Sequence, residues 1–321
     1  MRGTAAPAAA ERSTVLDRWL REHGSYHRHA AGGSSQGKAR FRPLQTLREV
    51  GRLQVLVDLN ADAGESFGRW QLGADERLIP LVSSVNIACG WHAGDPATMR
   101  ASLRIAREAG VAAGAHPGFP DLAGFGRRAI SFSPREAADA CLYQFGALRA
   151  LADEMGVPIT HVKPHGALYG LTLRDAAAAQ AVGEAVAAAA PGVPVVLLAG
   201  QTADQVAERG IPVVREAFAD LDYDDAGHII IEPNPVAKDP QRCAEQALAV
   251  LRGEVTSVNG NAVPVRAETI CLHGDRPNAV EVAGAVRDAF AAEGVELAVM
   301  SEVVRRGTSG AATATGEAAP A

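Results

Sequence analysis

Between residues 55 and 300 the sequence alternates short apolar runs with helical patterns, and this alternation constrains the fold more than any other feature. The runs are rich in β-branched residues and nearly continuous in hydrophobicity, which is typical of parallel strands buried on both faces. They span Val55–Leu59, Val82–Cys89, Val111–His116, Ile159–Lys163, Val193–Ala199, Ile211–Val214, Thr269–His273 and Val295–Val299. We therefore predict an α/β fold built from repeated β-then-α units.

The stretches between these runs carry helix boundary signals. A capping side chain followed by proline predicts where a helix begins, and glycine predicts where it ends. These signals predict helices from Asp95–Pro96 to Gly110, from Ser133–Pro134 towards Gly156, from Asp239–Pro240 to Gly253, and from Pro277 to near Gly294.

Seven or eight such units in one chain predict an irregular (β/α) barrel of mainly parallel strands. An open doubly wound sheet is the alternative, but no GxGxxG motif follows the first run. Ile229–Ile231 lies between Gly227 and Pro233 and predicts an inserted hairpin strand, which would make the barrel irregular. We place a single catalytic barrel domain at residues 55–302.

Both ends of the chain differ from this domain in composition. Residues 1–50 are largely Ala-, Gly-, Pro- and Ser-rich, with one short helical pattern at Ser13–His23, and we predict a mobile low-complexity extension. Alternatively, the working protein begins near Val55. Gly32–Lys38 matches part of a P-loop, but it lacks the strand and helix that a phosphate site needs, so we predict no nucleotide site there. Residues 307–321 are predicted to be a disordered tail.

Composition excludes several classes of partner and location. A net charge of −6 without long basic runs disfavours nucleic acid as a partner. No apolar stretch approaches the ~20 residues of a membrane span, so we predict no membrane association. The four cysteines are widely spaced and form no CxxC pair, which indicates free thiols in a reducing cytoplasm.

Ionisable side chains follow the ends of six predicted strands, and such ends converge at the C-terminal mouth of a barrel, where active sites lie. Each residue alone has a simpler explanation, such as a helix cap or a turn hydrogen bond. Turn chemistry does not require an ionisable residue after six strands, so we predict a site at the mouth. The predicted catalytic residues are Asp62, His92, Asp95, His116, Lys163, His165, His273 and Asp275, and the predicted substrate-binding residues are Asp58, Asn60, Glu65, Asn86 and Glu216.

Carboxylates and imidazoles in such a mouth support two kinds of chemistry. They can hold a divalent metal that activates water, or they can act directly as general acid and base. A divalent metal is therefore a candidate cofactor, although neither its identity nor its ligands follow from the sequence. Lys163 lies in an apolar strand, where it would either have a depressed pKa and act as a base or bind a carboxylate or phosphate.

Five segments, in order along the chain, resemble the LamB/YcsF family. They are Val57–Glu65 (VDLNADAGE), Asn86–Pro96 (NIACGWHAGDP), Gly114–Arg128 (GAHPGFPDLAGFGRR), His161–Tyr169 (HVKPHGALY) and Cys271–Asp275 (CLHGD). The resemblance covers roughly residues 55–300 and implies a barrel of the glycoside hydrolase/deacetylase type.

The resemblance also implies a function. The chain would be the A subunit of an ATP-dependent 5-oxoprolinase, a hydrolase of cyclic amide C–N bonds that opens 5-oxo-L-proline to L-glutamate. Its partners would be the B and C subunits of 5-oxoprolinase, and its cofactor would be ATP, hydrolysed to ADP and phosphate. A lactam amide is poorly electrophilic, and phosphorylation of the amide oxygen would create a leaving group and an activated carbon.

Two positions depart from the family pattern. Where the family usually reads FADRxY, this chain has Leu221 in place of the arginine, and Glu232 replaces a basic residue after the inserted strand. Losing two cations near the mouth weakens the binding of an anionic group. We therefore consider a divergent member that acts on a different lactam or cyclic amide.

Two other functions stay open from the sequence. One is a stand-alone metal-dependent deacetylase or amidohydrolase of the same barrel type. The other is a non-catalytic subunit that keeps the mouth as a ligand pocket, which the residues at positions 221 and 232 favour.

Overall fold

Seven parallel strands close into a barrel in the computed structural model, which describes residues 55–232 and 234–306. In chain order the strands are β1 (Leu56–Ala63), β2 (Ser84–Ala88), β3 (Ala112–His116), β4 (Ile159–Val162), β5 (Val195–Leu198), β6 (Val213–Phe218), β7 (Asp222–Tyr223), β8 (Ile229–Ile230), β9 (Glu254–Thr256), β10 (Ala262–Pro264), β11 (Thr269–His273) and β12 (Glu296–Leu297). Strands β1 to β6 pair in sequence order, and β11 closes the ring by pairing with both β6 and β1. The predicted barrel is confirmed.

Helices surround the barrel and follow its strands. They are α1 (Asp75–Leu78), α2 (Pro96–Ala109), α3 (Pro134–Met155), α4 (Gly166–Arg174), α5 (Ala176–Ala189), α6 (Gln201–Glu208), α7 (Pro240–Leu251) and α8 (Ala279–Glu293). Short 3₁₀ turns lie at Ile79–Leu81 and Leu122–Gly124. The apolar faces of the helices pack on the outside of the strands and form one large core with them.

The predicted boundary signals act as helix caps. Asp95 accepts hydrogen bonds from two backbone amides of α2, and Ser133 forms a capping box with Glu136 at the start of α3. Gly110 and Gly156 end these helices in the left-handed conformation that glycine adopts without a steric penalty. The fourth predicted helix is also present, but it begins at Ala279 rather than directly after Pro277.

Two strand boundaries differ from the prediction. The run Val295–Val299 forms only the two-residue β12, which pairs with Leu56 and Val57. β11 pairs with β1 from Asp58 to Asp62 and also with β6, so it closes the ring directly and the barrel has seven strands and not eight. Strand β6 continues to Phe218 instead of ending at Val214, because hydrogen bonds satisfy its buried carboxylate and allow a charged residue inside a strand.

The predicted inserted strand is present as a small hairpin, in which β8 pairs antiparallel with β7. A second antiparallel hairpin, β9 with β10, was not predicted.

All four cysteines are free and buried, which confirms the expectation of free thiols. In the described part of the chain, no helix is long and apolar enough to cross a membrane. The predicted extension at residues 1–50, with its helical pattern and its P-loop-like segment, and the predicted tail at residues 307–321 lie outside the described residues.

Candidate active site

A pocket opens where the carboxyl ends of the barrel strands converge. Six of the predicted catalytic residues line it: Asp62, His116, Lys163, His165, His273 and Asp275. Its walls also include Arg127, Tyr169, Phe218, Leu221, Glu232 and Arg276. The polar mouth expected from the strand ends is therefore a real cavity.

Asp62 lies at the centre of the pocket floor. Its Oδ1 accepts hydrogen bonds from Asn86 Nδ2 (2.8 Å) and Lys163 Nζ (3.0 Å). Its Oδ2 lies 3.3 Å from His116 Nε2 and 4.0 Å from His273 Nε2. Burial alone would raise the pKa of Asp62, but the neighbouring His116 and Lys163 outweigh it and hold the pKa well below its usual range. Asp62 is therefore an anchored carboxylate with its second oxygen directed towards two histidines.

Lys163 is buried among groups that favour its charged form. Its Nζ lies 2.9 Å from Glu216 Oε1 and 2.8 Å from Cys271 Sγ, in addition to its contact with Asp62. Burial disfavours the ammonium, but these neighbours outweigh it and raise the pKa of Lys163 well above its ordinary value. The depressed pKa considered from the sequence is wrong, and Lys163 is a cation that balances two carboxylates.

A hydrogen-bonded ring inside the barrel supports Asp62 and Lys163. Asn60 Nδ2 donates to Glu216 Oε1 (3.1 Å), and Asn86 Nδ2 donates to both Asn60 Oδ1 (2.7 Å) and Asp62 Oδ1. Lys163 closes the ring between Asp62 and Glu216. We call these five residues the interior network.

Several residues predicted to bind substrate belong to the interior network instead of the pocket lining. Asn60, Asn86 and Glu216 have no solvent exposure and do not line the pocket, so the structure places these predicted substrate-binding residues beneath it. Asp58 lies deeper still, where it accepts hydrogen bonds from Ser84 Oγ (2.5 Å) and Thr269 Oγ1 (2.5 Å). Burial raises the pKa of Asp58 to about 6. These residues position the pocket floor rather than contact a ligand.

Glu65, His92, His116 and His165 form a second buried group beside Asp62, which we call the histidine cluster. One ligand-type atom from each residue lies within 4.8 Å of the others, so the group could hold a metal ion. His92 and His165 stack with ring centroids 3.7 Å apart. Burial and the neighbouring histidines hold the pKa of His92 well below its ordinary value, so its imidazole is neutral. Burial, together with Asp275 and Asp62, raises the pKa of Glu65.

His273 and Asp220 form a hydrogen-bonded pair on the opposite wall. His273 Nδ1 lies 3.0 Å from Asp220 Oδ1, and Arg276 Nε donates to Asp220 Oδ2 (2.9 Å). Burial opposes charge on the imidazole, but Asp220 outweighs it and raises the pKa of His273. The pKa of Asp220 is lowered to about 2, because His273 and Arg276 outweigh the effect of its burial. Asp220, which orients His273, was not among the predicted site residues.

Sequence reasoning also missed Arg127. Its Nη2 lies 2.5 Å from Asp275 Oδ2, and its guanidinium lies 5.0 Å above the Phe125 ring. The only available signal was its place in the Gly114–Arg128 segment, directly after Gly126.

Asp95 lies apart from the pocket. Its carboxylate caps α2 through Ala97 N (2.8 Å) and Thr98 N (2.9 Å) and also accepts from Gly68 N (2.7 Å). All of these contacts are structural. Asp95 is therefore a helix-capping residue in this structure.

The two positions that depart from the family pattern both lie in the pocket wall. Leu221 is nearly buried there. Glu232 Oε2 accepts from Arg276 Nη1 (3.0 Å), and its Oε1 pairs with Lys238. The charge of Glu232 is thus matched by two cations rather than left opposing an anionic ligand.

Comparison with known proteins agrees with this architecture. The chain is 49% identical over 245 residues to the 5-oxoprolinase A subunit of Thermus thermophilus, which covers 75% of this chain and 98% of the relative. It is 44% identical over 253 residues to the 5-oxoprolinase A subunit of Thermococcus onnurineus, covering 78% and 99% respectively. The crystal structure of a lactam utilization protein from Thermus thermophilus matches with a TM-score of 0.70 at 48% identity, covering 76% of this chain and 99% of that one. The model of the LamB/YcsF family matches residues 57–305, and the chain belongs to that family.

Proposed function

We propose that this protein is the A subunit of an ATP-dependent 5-oxoprolinase and opens 5-oxo-L-proline to L-glutamate together with the B and C subunits. The observation that carries the proposal is the convergence of Asp62, His116, Lys163 and His273 on one pocket, in a chain 49% identical to a relative of that name. ATP is hydrolysed to ADP and phosphate in the proposed reaction. It compensates for the low electrophilicity of the lactam carbonyl.

Asp62 and His116 are suited to handle the attacking water. After the amide oxygen is phosphorylated, water adds to the carbonyl carbon and must lose a proton. Cleavage of the C–N bond then gives a carboxyl phosphate, which a second water hydrolyses to glutamate and phosphate. Asp62 Oδ2 and His116 Nε2 lie 3.3 Å apart and belong to residues that line the pocket, so a water bound to both would be oriented and deprotonated there. Lys163 keeps Asp62 ionised for this role.

His273 is suited to deliver a proton. The ring nitrogen of the lactam must gain a proton as the C–N bond breaks. Asp220 occupies Nδ1 of His273 and raises its pKa, which leaves Nε2 as the nitrogen that can donate within the pocket. Asp62 Oδ2 and His273 Nε2 lie 4.0 Å apart on neighbouring strands, so both can reach the same carbonyl group of a small substrate bound above them.

Arg127 is suited to bind the substrate carboxylate. The Arg276 guanidinium is engaged by Asp220 and Glu232, whereas Arg127 uses Nη2 for Asp275 in the described structure. A guanidinium carries five N–H donors, so Arg127 can hold a carboxylate in the pocket while it keeps Asp275. Arg127 thus supplies the pocket with a cation for the substrate carboxylate, although Leu221 and Glu232 replace two basic residues of the family pattern.

The test is a reconstitution with the B and C subunits. The purified three-protein complex is assayed for glutamate and ADP released from 5-oxoproline, with Asp62→Asn as the variant and Asp139→Asn, at an exposed position on α3, as the control. Equal release of both products, lost in Asp62→Asn and kept in Asp139→Asn, is the expected result. An intact complex that releases neither product would overturn 5-oxoproline as the substrate and favour another cyclic amide. Acetate release from an acetylated sugar without ATP would instead favour a stand-alone deacetylase.

A further inference from the structure

His92 is a buried imidazole without a hydrogen-bond partner. Its side chain has no solvent exposure, and both Nδ1 and Nε2 lack a partner among the described residues. Only one other buried side-chain atom in the described part of the chain, on Arg252, shares this state. Native proteins rarely bury polar nitrogen atoms unsatisfied, because the lost contact with water is not replaced. The nitrogens of His92 therefore indicate a ligand.

The facing nitrogens of His116 and His165 lead to the same conclusion. His116 Nδ1 lies 2.7 Å from the carbonyl oxygen of Lys163, and His165 Nε2 lies 2.8 Å from that of Phe125. A carbonyl oxygen only accepts hydrogen bonds, so each of these outer nitrogens carries the proton. When both rings are neutral, His116 Nε2, which also lies 3.3 Å from Asp62 Oδ2, and His165 Nδ1 present lone pairs to each other at 3.0 Å. Two lone pairs at this distance repel unless a cation lies between or beside them.

Glu65 adds a carboxyl oxygen to these three imidazoles. Its Oε1 lies 3.7 Å from His92 Nε2 and 3.9 Å from His165 Nδ1. In a tetrahedral site with metal–nitrogen bonds of about 2.0–2.1 Å, ligand atoms lie roughly 3.3 Å apart. The separations of 3.0, 3.7 and 3.9 Å bracket that value, and rotation of the His92 ring out of its stack on His165 would let both rings direct a nitrogen at one ion.

The backbone around the histidine cluster is shaped to leave room for it. A Cβ atom on Gly118 would lie 2.5 Å from His92 Nδ1, and one on Gly126 would lie 2.7 Å from His92 Cβ. Phe125, whose carbonyl orients His165, is the only non-glycine residue of the described chain with a positive φ, at 54°. A carbonyl that holds the outer nitrogen of a histidine is a common support for a metal-binding imidazole.

We propose that Glu65, His92, His116 and His165 bind one divalent first-row transition metal ion. Neutral imidazoles with one carboxylate suit Zn²⁺ and its neighbours rather than Mg²⁺ or Ca²⁺, which prefer oxygen ligands. The proposal is independent of the lactam as substrate, because it concerns binding by the isolated chain. With an ion bound, His116 Nε2 would be a ligand, and Asp62 Oδ2 would remain to accept the proton of the attacking water.

The test is a metal titration of the full chain without ATP or the B and C subunits. The protein is stripped with a chelator, dialysed and titrated with Co²⁺, followed by visible absorption, and Zn²⁺ is then added as a competitor. We expect one Co²⁺ per chain, with the absorption bands of low-coordinate cobalt, displaced by one equivalent of Zn²⁺.

Two variants and one control locate the ion. His92→Phe keeps an aromatic ring stacked on His165 but removes its nitrogens, and Glu65→Gln removes the carboxylate. Each should lower the affinity for Co²⁺ about 100-fold. His273→Asn is the control, because His273 is partnered by Asp220 outside the cluster, and it should bind Co²⁺ as the parent does.

Two results would overturn the proposal. One is a folded parent protein, judged by circular dichroism, that binds no Co²⁺, in which case a proton bridges His116 and His165. The other is unchanged affinity in folded His92→Phe or Glu65→Gln. Either result would leave the proposed lactam reaction untouched, because that reaction is assayed separately with the complete complex.

Discussion

The interior network and the histidine cluster are adjacent, buried and polar, yet they differ in completeness. Every member of the interior network makes hydrogen bonds or ion pairs with other members, and Lys163 is paired with both of its carboxylates. The histidine cluster contains two nitrogens on His92 without partners among the described residues. The polar groups of the interior network are therefore satisfied by the chain itself, whereas the histidine cluster keeps nitrogen atoms available for a ligand.

Of the changes considered, removing Lys163 from the interior network should destabilise the protein most. Lys163→Met would leave Asp62 and Glu216 buried without their shared cation, and we expect the free energy of unfolding to fall by about 3–5 kcal/mol. Urea denaturation followed by circular dichroism measures this loss. Arg104→Met, which breaks the exposed Arg104–Glu108 pair, should cost no more than about 1 kcal/mol. Equal losses in the two variants would contradict the view of Lys163 as the balance of a buried network.

The buried carboxyl of Asp58 should give the folded protein a distinct pH dependence. Its pKa is about 6 in the fold, above the value of 3.8 for an exposed carboxyl. Its contribution to stability is therefore full below pH 3.8 and is lost as the pH rises through 6, by at most about 3 kcal/mol. Asp58→Asn should remove this component, so its unfolding free energy should decline less than that of the parent between these pH values. Parallel curves for the two proteins would show that Asp58 does not titrate in this way.

A methyl group at position 118 should disturb the histidine cluster and little else. Gly118→Ala places a Cβ atom 2.5 Å from His92 Nδ1, and overpacking of this kind costs about 2 kcal/mol. Gly146→Ala is the matched control, because that glycine lies in α3 with no atom near its added Cβ, and it should stabilise the protein by about 0.5–1 kcal/mol. Thermal unfolding of both variants, with the shift of the His92 ring protons followed by NMR, distinguishes them. An unshifted His92 in Gly118→Ala would count against tight packing at this position.

Local signals in the sequence predicted the helices well. Asp95–Pro96 and Ser133–Pro134 act through their immediate neighbours, so the caps seen in the structure could be predicted without knowledge of the fold. The closed barrel followed from the alternation of strands and helices. The number of strands could not be predicted, because the choice between seven and eight depends on whether β11 pairs directly with both β6 and β1, which no local pattern shows.

The sequence could not predict how far below the pocket each polar residue lies, because this depends on the length of β1 and on contacts with distant parts of the chain. The hydrophobic pattern ends the first strand at Leu59, whereas β1 continues to Ala63. Asp58, Asn60 and Asp62 alternate along this strand and point to the same side, at a rise of about 3.3 Å per residue. Asp58 therefore lies about 13 Å below Asp62, too deep to touch a ligand at the mouth. The partner of each residue depends on contacts such as that between Asn60 and Thr269, 209 positions apart in the chain.

The pairing of β1 with β11, here called the seam, closes the barrel and brings together strands that are far apart in the sequence. Asp62 and His273 are register partners across this seam, so the two walls of the pocket come from strands near opposite ends of the barrel sequence. Contacts between distant parts of a chain form late, because their loop-closure entropy must be overcome first. The pocket can therefore exist only after the last strand has been synthesised and has docked on the first. A chain that ends before β11 contains the histidine cluster but lacks His273 and Asp275, and with them part of the pocket wall.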